Sequence, residues 1–298
     1  GHDGGSPFAE DLAWEALPPV PTPRTEVAAA ATDERIYVIG GFVEGGATTP
    51  LVEVYDVESR TWSRGPDLPV AVNHAMAAAR EDDVVVAGGY LGPGLANPTN
   101  RVFRLAGDGW EEMEPMPGPR AAGGAAFVGR RLHVVAGIGE GGLAADMFVL
   151  AADAARWSAA PGPTPREHLG VAAPGGSLTA VAGRTGGMAS NLAVVERYDP
   201  DARRWEALPD LPTPRGGLAA TATDDGLLVA VGGEQPGGTF AEVEVFDLLT
   251  ERWSTLPDLP TPRHGLGVVA VGNTVHVLAG GPEPGYAFSD AHEAIELR

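Results

Sequence analysis

The sequence contains no cysteine, and this absence excludes several kinds of function. Disulfide bridges, thiolate metal sites and cysteine nucleophiles all require that side chain. The chain also has no apolar run approaching the roughly eighteen residues of a membrane-spanning helix. We therefore expect a soluble protein, with the compartment left open between the cytoplasm and export after removal of a signal.

Basic residues are few. Lysine and arginine number 20 against 40 aspartate and glutamate residues, which gives a formal net charge of −20. A charge of this sign repels phosphate backbones and anionic lipid headgroups. Nucleic acids and membranes are therefore not expected as partners, and cations are favoured.

The six tryptophans form a ladder with steps of 47 or 48 residues. They are Trp14, Trp62, Trp110, Trp157, Trp205 and Trp253. Each repeat holds four short apolar runs separated by glycine, proline and acidic residues, the pattern of a four-stranded antiparallel meander. Such a sheet cannot bury both apolar faces alone, so the repeats must stack, and a closed ring protects both ends of the stack.

Glycines and aromatic residues recur with the tryptophans. A glycine doublet follows the second apolar run at Gly40-Gly41, Gly88-Gly89, Gly232-Gly233 and Gly280-Gly281, and is reduced to Gly137-Ile138 and Gly183-Arg184. The residue seven before the tryptophan is Tyr55, Phe103, Leu150, Tyr198 or Phe246. In these features nearly the whole chain resembles the kelch family, and the resemblance implies an all-β, six-bladed propeller with four antiparallel strands per blade.

The ends of the chain predict how the ring closes. The last repeat stops after its third strand, Ala294 to Leu297, while an orphan strand surrounds Trp14. We expect this N-terminal strand to complete the last blade within a single domain, residues 11–298, behind a tail at 1–10 that carries a tag remnant. The predicted blades are 23–66, 70–114, 118–161, 164–209, 213–257, and 261–298 with 11–18.

A Pro-Arg pair stands at the start of five blades, and polar residues follow this position, or its counterpart at Val72, in blades one, two, four and six. In a meander, this point and the end of the second strand lie on one face, so loops from every blade meet at one mouth. Three of the seven histidines lie there, in blades two, four and six. This alternation predicts roughly threefold spacing about the axis. The predicted mouth residues are Glu26, Phe42, Asn73, His74, Tyr90, Glu167, His168, Thr185, Glu234 and His264.

Three interpretations of this mouth stay open. Its polar residues can simply hydrogen-bond neighbouring loops, or they can form a metal-free pocket. Alternatively, His74, His168 and His264, with a carboxylate nearby, offer the ligand types that a divalent transition metal takes. His74 lies twelve residues after its tryptophan and the other two lie eleven after theirs, so one of the three can point elsewhere.

Two further sets of residues receive structural interpretations. Arginine occupies the Pro-Arg position in five blades, as Arg24, Arg120, Arg166, Arg215 and Arg263. These side chains could clamp a carboxylate ligand, but their repetition favours bridges between adjacent blades. Among the remaining histidines, His133 and His276 are placed in second strands and His292 in the last connecting loop, without a functional role.

Two classes of function fit this fold. The first is a monomeric binding propeller whose mouth takes a small molecule or a partner's peptide loop, as the kelch resemblance implies. The second is an enzyme at the same mouth, either a metal-dependent lyase or hydrolase or a metal-free enzyme similar to sialic acid mutarotases. Its candidate catalytic residues are Glu26, His74, Glu167 and His168. A copper oxidase similar to galactose oxidase is excluded, because its cofactor requires a cysteine.

Overall fold

The computed structural model describes residues 7–151 and 156–298, which form six antiparallel sheets of four strands each. The innermost strand of each sheet contacts the innermost strand of the next, and the sixth contacts the first. The predicted six-bladed propeller is therefore confirmed. The proposed tag remnant at residues 1–10 lies partly outside the described residues, which begin at residue 7.

In blades one to five the strands run outward from the axis in chain order, and in blade six the outermost strand is the N-terminal one. Blades one to three consist of Ala28–Ala31, Arg35–Ile39, Val52–Asp56 and Thr61–Arg64; Met76–Arg80, Asp83–Ala87, Val102–Ala106 and Gly109–Glu112; and Gly124–Val128, Arg131–Val135, Asp146–Ala151 and Trp157–Pro161. Blades four to six consist of Gly170–Ala172, Thr179–Arg184, Asn191–Asp199 and Arg204–Leu208; Ala219–Ala222, Leu227–Val231, Val243–Asp247 and Arg252–Thr255; and Gly267–Val271, Thr274–Leu278, His292–Glu296 and Glu15–Ala16.

Short strand pairs and 3-10 turns lie in the loops between these strands. They are the two-residue strand pairs Arg24–Thr25 with Phe42–Val43, Ile138–Gly139 with Gly142–Leu143, and Glu234–Gln235 with Gly238–Thr239, and the 3-10 turns Pro174–Gly176 and Met188–Ser190. All three strand pairs belong to the loops of the predicted mouth. The backbone there is consequently held by its own hydrogen bonds.

The N-terminal strand completes the sixth blade, as predicted. Glu15–Ala16 pairs antiparallel with His292–Glu296, with Glu15 opposite Ala294. The third strand begins at His292, so the prediction that this histidine lies in a loop is wrong. Its Nδ1 donates a hydrogen bond to the Pro18 carbonyl at 3.0 Å, and this contact fastens the N-terminal segment to the blade.

Every tryptophan of the ladder links two blades. Each indole Nε1 donates a hydrogen bond of 2.8 or 2.9 Å to a backbone carbonyl of the preceding blade. The pairs are Trp14 with Pro257, Trp62 with Pro18, Trp110 with Pro66, Trp157 with Glu114, Trp205 with Pro161, and Trp253 with Pro209. The recurring spacing therefore reflects an outer ring of six inter-blade bonds.

Glycines form an inner ring of bonds between blades. One glycine in each blade donates its backbone N–H, at 2.7 to 3.0 Å, to the carbonyl of the residue at the next blade's Pro-Arg position. The pairs are Gly41 with Val72, Gly89 with Arg120, Gly137 with Arg166, Gly183 with Arg215, Gly233 with Arg263, and Gly280 with Arg24. In the other blades that have a glycine doublet, its second glycine makes this bond, whereas in blade six the first, Gly280, makes it. The doublet at 280–281 is therefore one residue later than the doublet at 40–41.

Glycine is required in this inner ring because the backbone is left-handed and crowded. Gly41 has a φ of +95°, and a Cβ there would lie 2.5 Å from the carbonyl oxygen of Thr25. A side chain would therefore be strained and would also clash with fixed backbone. The repetition of glycine in all six blades follows from this requirement.

The recurrent arginines make structural contacts within their own blades, including Arg120, which pairs with Asp146. Arg24, Arg166, Arg215 and Arg263 are fully buried, and each pairs with a glutamate on the third strand of its own blade. The partners in that order are Glu53, Glu196, Glu244 and Glu293. The guanidinium groups also donate to carbonyls of the same blade, so the expected side-chain bridges between adjacent blades are wrong.

We expect Arg215→Met to lower the free energy of unfolding by about 3–5 kcal/mol, because it leaves Glu244 buried without its cation. Urea unfolding followed by tryptophan fluorescence measures the change. The exposed pair between Arg60 and Glu15 provides the control, since Arg60→Met should cost less than about 1 kcal/mol. Equal effects of the two variants would contradict the structural role of the buried pairs.

Two buried histidines in blade six make stability sensitive to acid. His276 Nδ1 lies 2.9 Å from His292 Nε2, and His292 Nδ1–H donates a hydrogen bond to the Pro18 carbonyl. Burial, together with the neighbouring histidine, lowers the pKa of His276 to about 3, and burial lowers the pKa of His292 to about 4. Both groups are therefore neutral in the folded protein but take up protons below about pH 6.5 when unfolded.

We expect the free energy of unfolding to decrease as the pH falls from about 6.5 to 4, at up to about 1.4 kcal/mol per pH unit for each histidine. Urea titrations at a series of pH values measure this slope. His276→Leu removes one titrating group and should make the slope shallower. A variant with the wild-type slope would show that this pair does not control acid stability.

Candidate functional site

Six residues form a ring around the propeller axis, two positions after the Pro-Arg arginine or its replacement. They are Glu26, His74, Ala122, His168, Gly217 and Gly265. Their backbones are joined by hydrogen bonds of 2.8 to 3.1 Å, and the N–H of Val27 closes the ring onto Gly265 at 3.3 Å. All six have positive φ values between 52° and 75°. Three of the predicted mouth residues, Glu26, His74 and His168, therefore lie at the same height along the propeller axis.

The side chains of the axial ring meet at His74. Its Nε2 lies 3.0 Å from His168 Nε2 and 3.0 Å from Glu26 Oε2. Blade three separates the two histidines along the ring, but it supplies only Ala122 at this level. The small side chain leaves room for the imidazoles to contact each other.

His264 does not join these two histidines, so the expected threefold arrangement is wrong. It lies one position after its arginine, while His74 and His168 lie two positions after the Pro-Arg arginine or its replacement. Its Nδ1 lies 3.1 Å from Glu26 Oε1 and 3.3 Å from Glu234 Oε2, and its Nε2 donates to the Gly285 carbonyl at 2.9 Å. Counting from the tryptophans misidentified the odd histidine, because the number of residues between tryptophan and arginine varies between blades.

An arginine that the sequence analysis missed completes the site. Arg184 Nη1 lies 3.0 Å from Glu234 Oε1, and its Nε lies 3.7 Å from Glu167 Oε1. Thr185, which was predicted at this place, is exposed and does not line the mouth cavity. The glycine at 183 could have identified Arg184. Gly183 makes the same inner-ring bond as Gly41 and Gly89, so the residue after it is equivalent to Phe42 and Tyr90.

The remaining predicted residues surround His74. Phe42 and Tyr90 present their rings to the imidazole edge to face, with centroids 6.0 and 5.6 Å away. Asn73 Oδ1 lies 2.6 Å from His74 Nδ1. Burial raises the pKa of Tyr90 to about 12, so its hydroxyl remains protonated. These contacts fix the orientation of the imidazole.

Two small cavities flank the axial ring. The mouth cavity, of about 140 Å³, has Phe42, Leu95, Met188 and Tyr286 on its walls and the charged side chains on its floor. A second cavity of about 110 Å³ lies against the ring on its other side. Beyond it, a channel of about 260 Å³ is lined mostly by alanine and valine from the innermost strands. Glu26, His74 and His168 border both cavities that flank the ring.

Comparison with known families agrees with this architecture. A family model described as the KLHDC2/KLHL20/DRC7 Kelch-repeats domain matches residues 73–281, and a model of the Kelch motif matches residues 23–69. The chain belongs to the kelch-repeat family. Kelch propellers typically act as protein-interaction scaffolds and commonly bind partner proteins or peptides. No curated protein matches this kelch chain. Within the described residues, none of its helices has the length and apolar character needed to cross a bilayer.

The floor of this kelch mouth is an electrostatic network. Burial raises the pKa of Glu26, but contacts with His74 and His264 outweigh burial and hold the pKa well below its usual range. For His264, burial lowers the pKa, and the opposing effects of Glu26 and Glu234 raise it overall. Burial lowers the pKa of His168, which is therefore neutral. An ionised Glu26 thus lies between His264, whose charged form the carboxylates favour, and the pair of imidazoles.

The left-handed backbone of the axial ring can be tested at Ala122, which has a φ of +57°. We expect Ala122→Gly to raise the free energy of unfolding by about 0.5–1 kcal/mol, because glycine adopts this conformation without steric cost. The matched control is Ala78→Gly in an innermost strand, which should lower stability by a similar amount. Urea unfolding measures both changes, and destabilisation by Ala122→Gly would contradict the interpretation of strain.

Proposed function

We propose that this kelch propeller is a binding module whose mouth receives the tip of a partner loop, or the head group of a small ligand, that carries positive charge. The observation that carries the proposal is the exposure of apolar side chains at the mouth. Tyr286 is 59% exposed and Leu95 is 49% exposed, and they are two of the three large apolar side chains that stay exposed in the described chain. The third, Leu249, lies in a turn on the opposite face.

The size of the mouth cavity favours partial insertion. Sites that enclose a drug-sized molecule usually measure about 300–1,000 Å³. The mouth cavity, at about 140 Å³, accommodates a side chain or a small head group. The same volume argues against an enzyme that surrounds a whole sugar, although Glu26 and His168 are suitable acid–base groups. Binding is therefore better supported than a mutarotase-like activity.

The charge of the floor favours a cationic group. Glu26, Glu167 and Glu234 contribute three carboxylates, while Arg184 contributes a permanent cation and His264 a titratable one. The carboxylates outnumber these two groups in a site shielded from solvent, where electrostatic attraction is strong. The formal net charge of −20 would also attract positively charged partners over longer distances.

The test is selection from a display library of loop-constrained peptides. We expect enrichment of loops with lysine or arginine at the tip beside an apolar residue. Tyr286→Ala should weaken binding of a selected synthetic peptide at least about tenfold in calorimetry, because large aromatic side chains supply most of the energy in such contacts. Tyr286 touches Phe42 edge to face at 5.0 Å, so unchanged thermal stability must be verified first.

The matched control is Leu249→Ala, which removes an exposed apolar side chain from the opposite face. Its affinity for the peptide should equal that of the wild type. Selection of peptides that bind Tyr286→Ala as tightly as the wild type would place the binding surface elsewhere and refute the proposal. Failure to enrich any peptide family would also refute the loop-binding function.

A further inference from the structure

A chain of hydrogen bonds fixes the orientation of the Asn73 amide beside the axial ring. Thr48 Oγ1 donates its proton to the Gly92 carbonyl at 2.7 Å, so the same oxygen can accept from Asn73 Nδ2 at 3.0 Å. Asn73 Nδ2 also donates to the Gly94 carbonyl at 3.3 Å. Because both donors of the amide are engaged on this side, its oxygen faces His74.

The fixed amide determines the tautomer of His74. Asn73 Oδ1 can only accept, so His74 Nδ1, 2.6 Å away, carries the proton. In the neutral ring, Nε2 then presents a lone pair to the axis. Metal-binding histidines commonly have their other nitrogen held in this way by an oxygen acceptor.

The lone pair of His74 Nε2 faces two further groups that can both act as acceptors. Glu26 Oε2 and His168 Nε2 each lie 3.0 Å from it. A proton on His74 Nε2 can serve both acceptors only as a shared hydrogen bond, with Glu26 as its ion-pair partner. A divalent cation accepts a lone pair from all three atoms at once. Around one ion with bonds of about 2.0–2.1 Å, tetrahedral ligands lie roughly 3.4 Å apart, so each 3.0 Å contact would lengthen by roughly 0.4 Å. The three donor atoms already lie within 4.8 Å of one another.

His168 supplies an independent second observation. Its Nδ1 is buried and has no hydrogen-bond partner, an arrangement that is uncommon for a buried polar atom. Glu167 Oε1 lies 3.5 Å from this nitrogen. When Nε2 binds a metal, the proton must reside on Nδ1, and Glu167 is placed to accept it. The two imidazoles would then each have an oxygen acceptor behind them.

We propose that Glu26, His74 and His168 bind one divalent first-row transition metal ion on the propeller axis, with Asn73 and Glu167 as positioning residues. Two imidazole nitrogens and one carboxylate oxygen suit zinc, iron(II) or cobalt(II). Three protein ligands leave a coordination position for a water or a ligand atom, and both flanking cavities reach the site. This inference does not depend on whether the mouth also receives a peptide loop.

His264 is excluded from this centre because its donor atoms are already engaged. A second group of potential ligands, formed by Glu26, Glu234 and His264, occurs among the described residues. Its Glu234 accepts from Arg184 and from the backbone N–H of Gly285. His264 donates Nε2–H to the Gly285 carbonyl, and its Nδ1 lies between two carboxylates. This group is therefore an internal ion-pair network without free lone pairs directed at a common point.

The experiment is a metal titration of chelator-stripped protein, with zinc followed by calorimetry and cobalt(II) followed by visible absorption. We expect one equivalent to bind. His74→Ala or His168→Ala should weaken binding at least about 100-fold, and Asn73→Ala about 10–100-fold. His133→Gln, which removes a buried imidazole from a second strand away from the axial ring, is the matched control and should retain the stoichiometry and come within a few-fold of the wild-type affinity. His2 is the same in every protein, so it does not affect these differences.

A second measurement uses the wild-type protein, so its result does not depend on whether the variants fold. Nitrogen-15 NMR of the imidazoles should show His74 with a protonated Nδ1 and an unprotonated Nε2, and zinc should shift Nε2 of both His74 and His168. Absence of zinc binding tighter than about 100 µM, or wild-type affinity in folded His74→Ala, would overturn the proposal. Peptide binding to the stripped protein reports on the mouth alone, so failure of either proposal can be recognised separately.

Discussion

Closure of the ring by hydrogen bonds between blades is the constraint on which the structure depends. An outer set of six bonds runs from the tryptophan indoles to backbone carbonyls, and an inner set of six runs from the ring glycines to the Pro-Arg position. The strand Glu15–Ala16 completes the sixth blade, so the bonds of Trp14 and Gly280 close both circuits. Each blade is therefore positioned at its rim and near the axis.

The buried arginine–glutamate pairs hold the backbone next to the axial ring, so the side chains of the ring can differ from blade to blade. In four blades the guanidinium group links the inter-blade loop to the third strand of the same blade, and this fixes the backbone just before the axis. The next two residues therefore reach the mouth in a defined conformation, whatever their side chains. Glu26, His74 and His168 occupy positions where other blades carry glycine or alanine, and charged and imidazole groups consequently meet on an otherwise small-residue axis.

Much of the site could be predicted from the repeat, and the errors have specific causes. The family resemblance and the meander geometry placed Glu26, His74 and His168 at the mouth. Thr185 was chosen because the reduced doublet in blade four was aligned one residue late, which concealed Arg184. His264 was grouped with His168 because positions were counted from the tryptophans, and the number of residues between tryptophan and arginine differs between blades. The glutamate partners of the arginines were missed because they lie about thirty residues further along the chain.

The sequence by itself determined the number of blades, the ring closure and the face on which polar loops gather, because these follow from a period repeated six times. Only the tertiary structure decided which side chains touch. His74, His168 and Glu26 come from three different blades, and their contacts depend on loop register and left-handed backbone angles at a common axis. Those quantities arise when the ring closes, since each loop is positioned by bonds to its neighbouring blades.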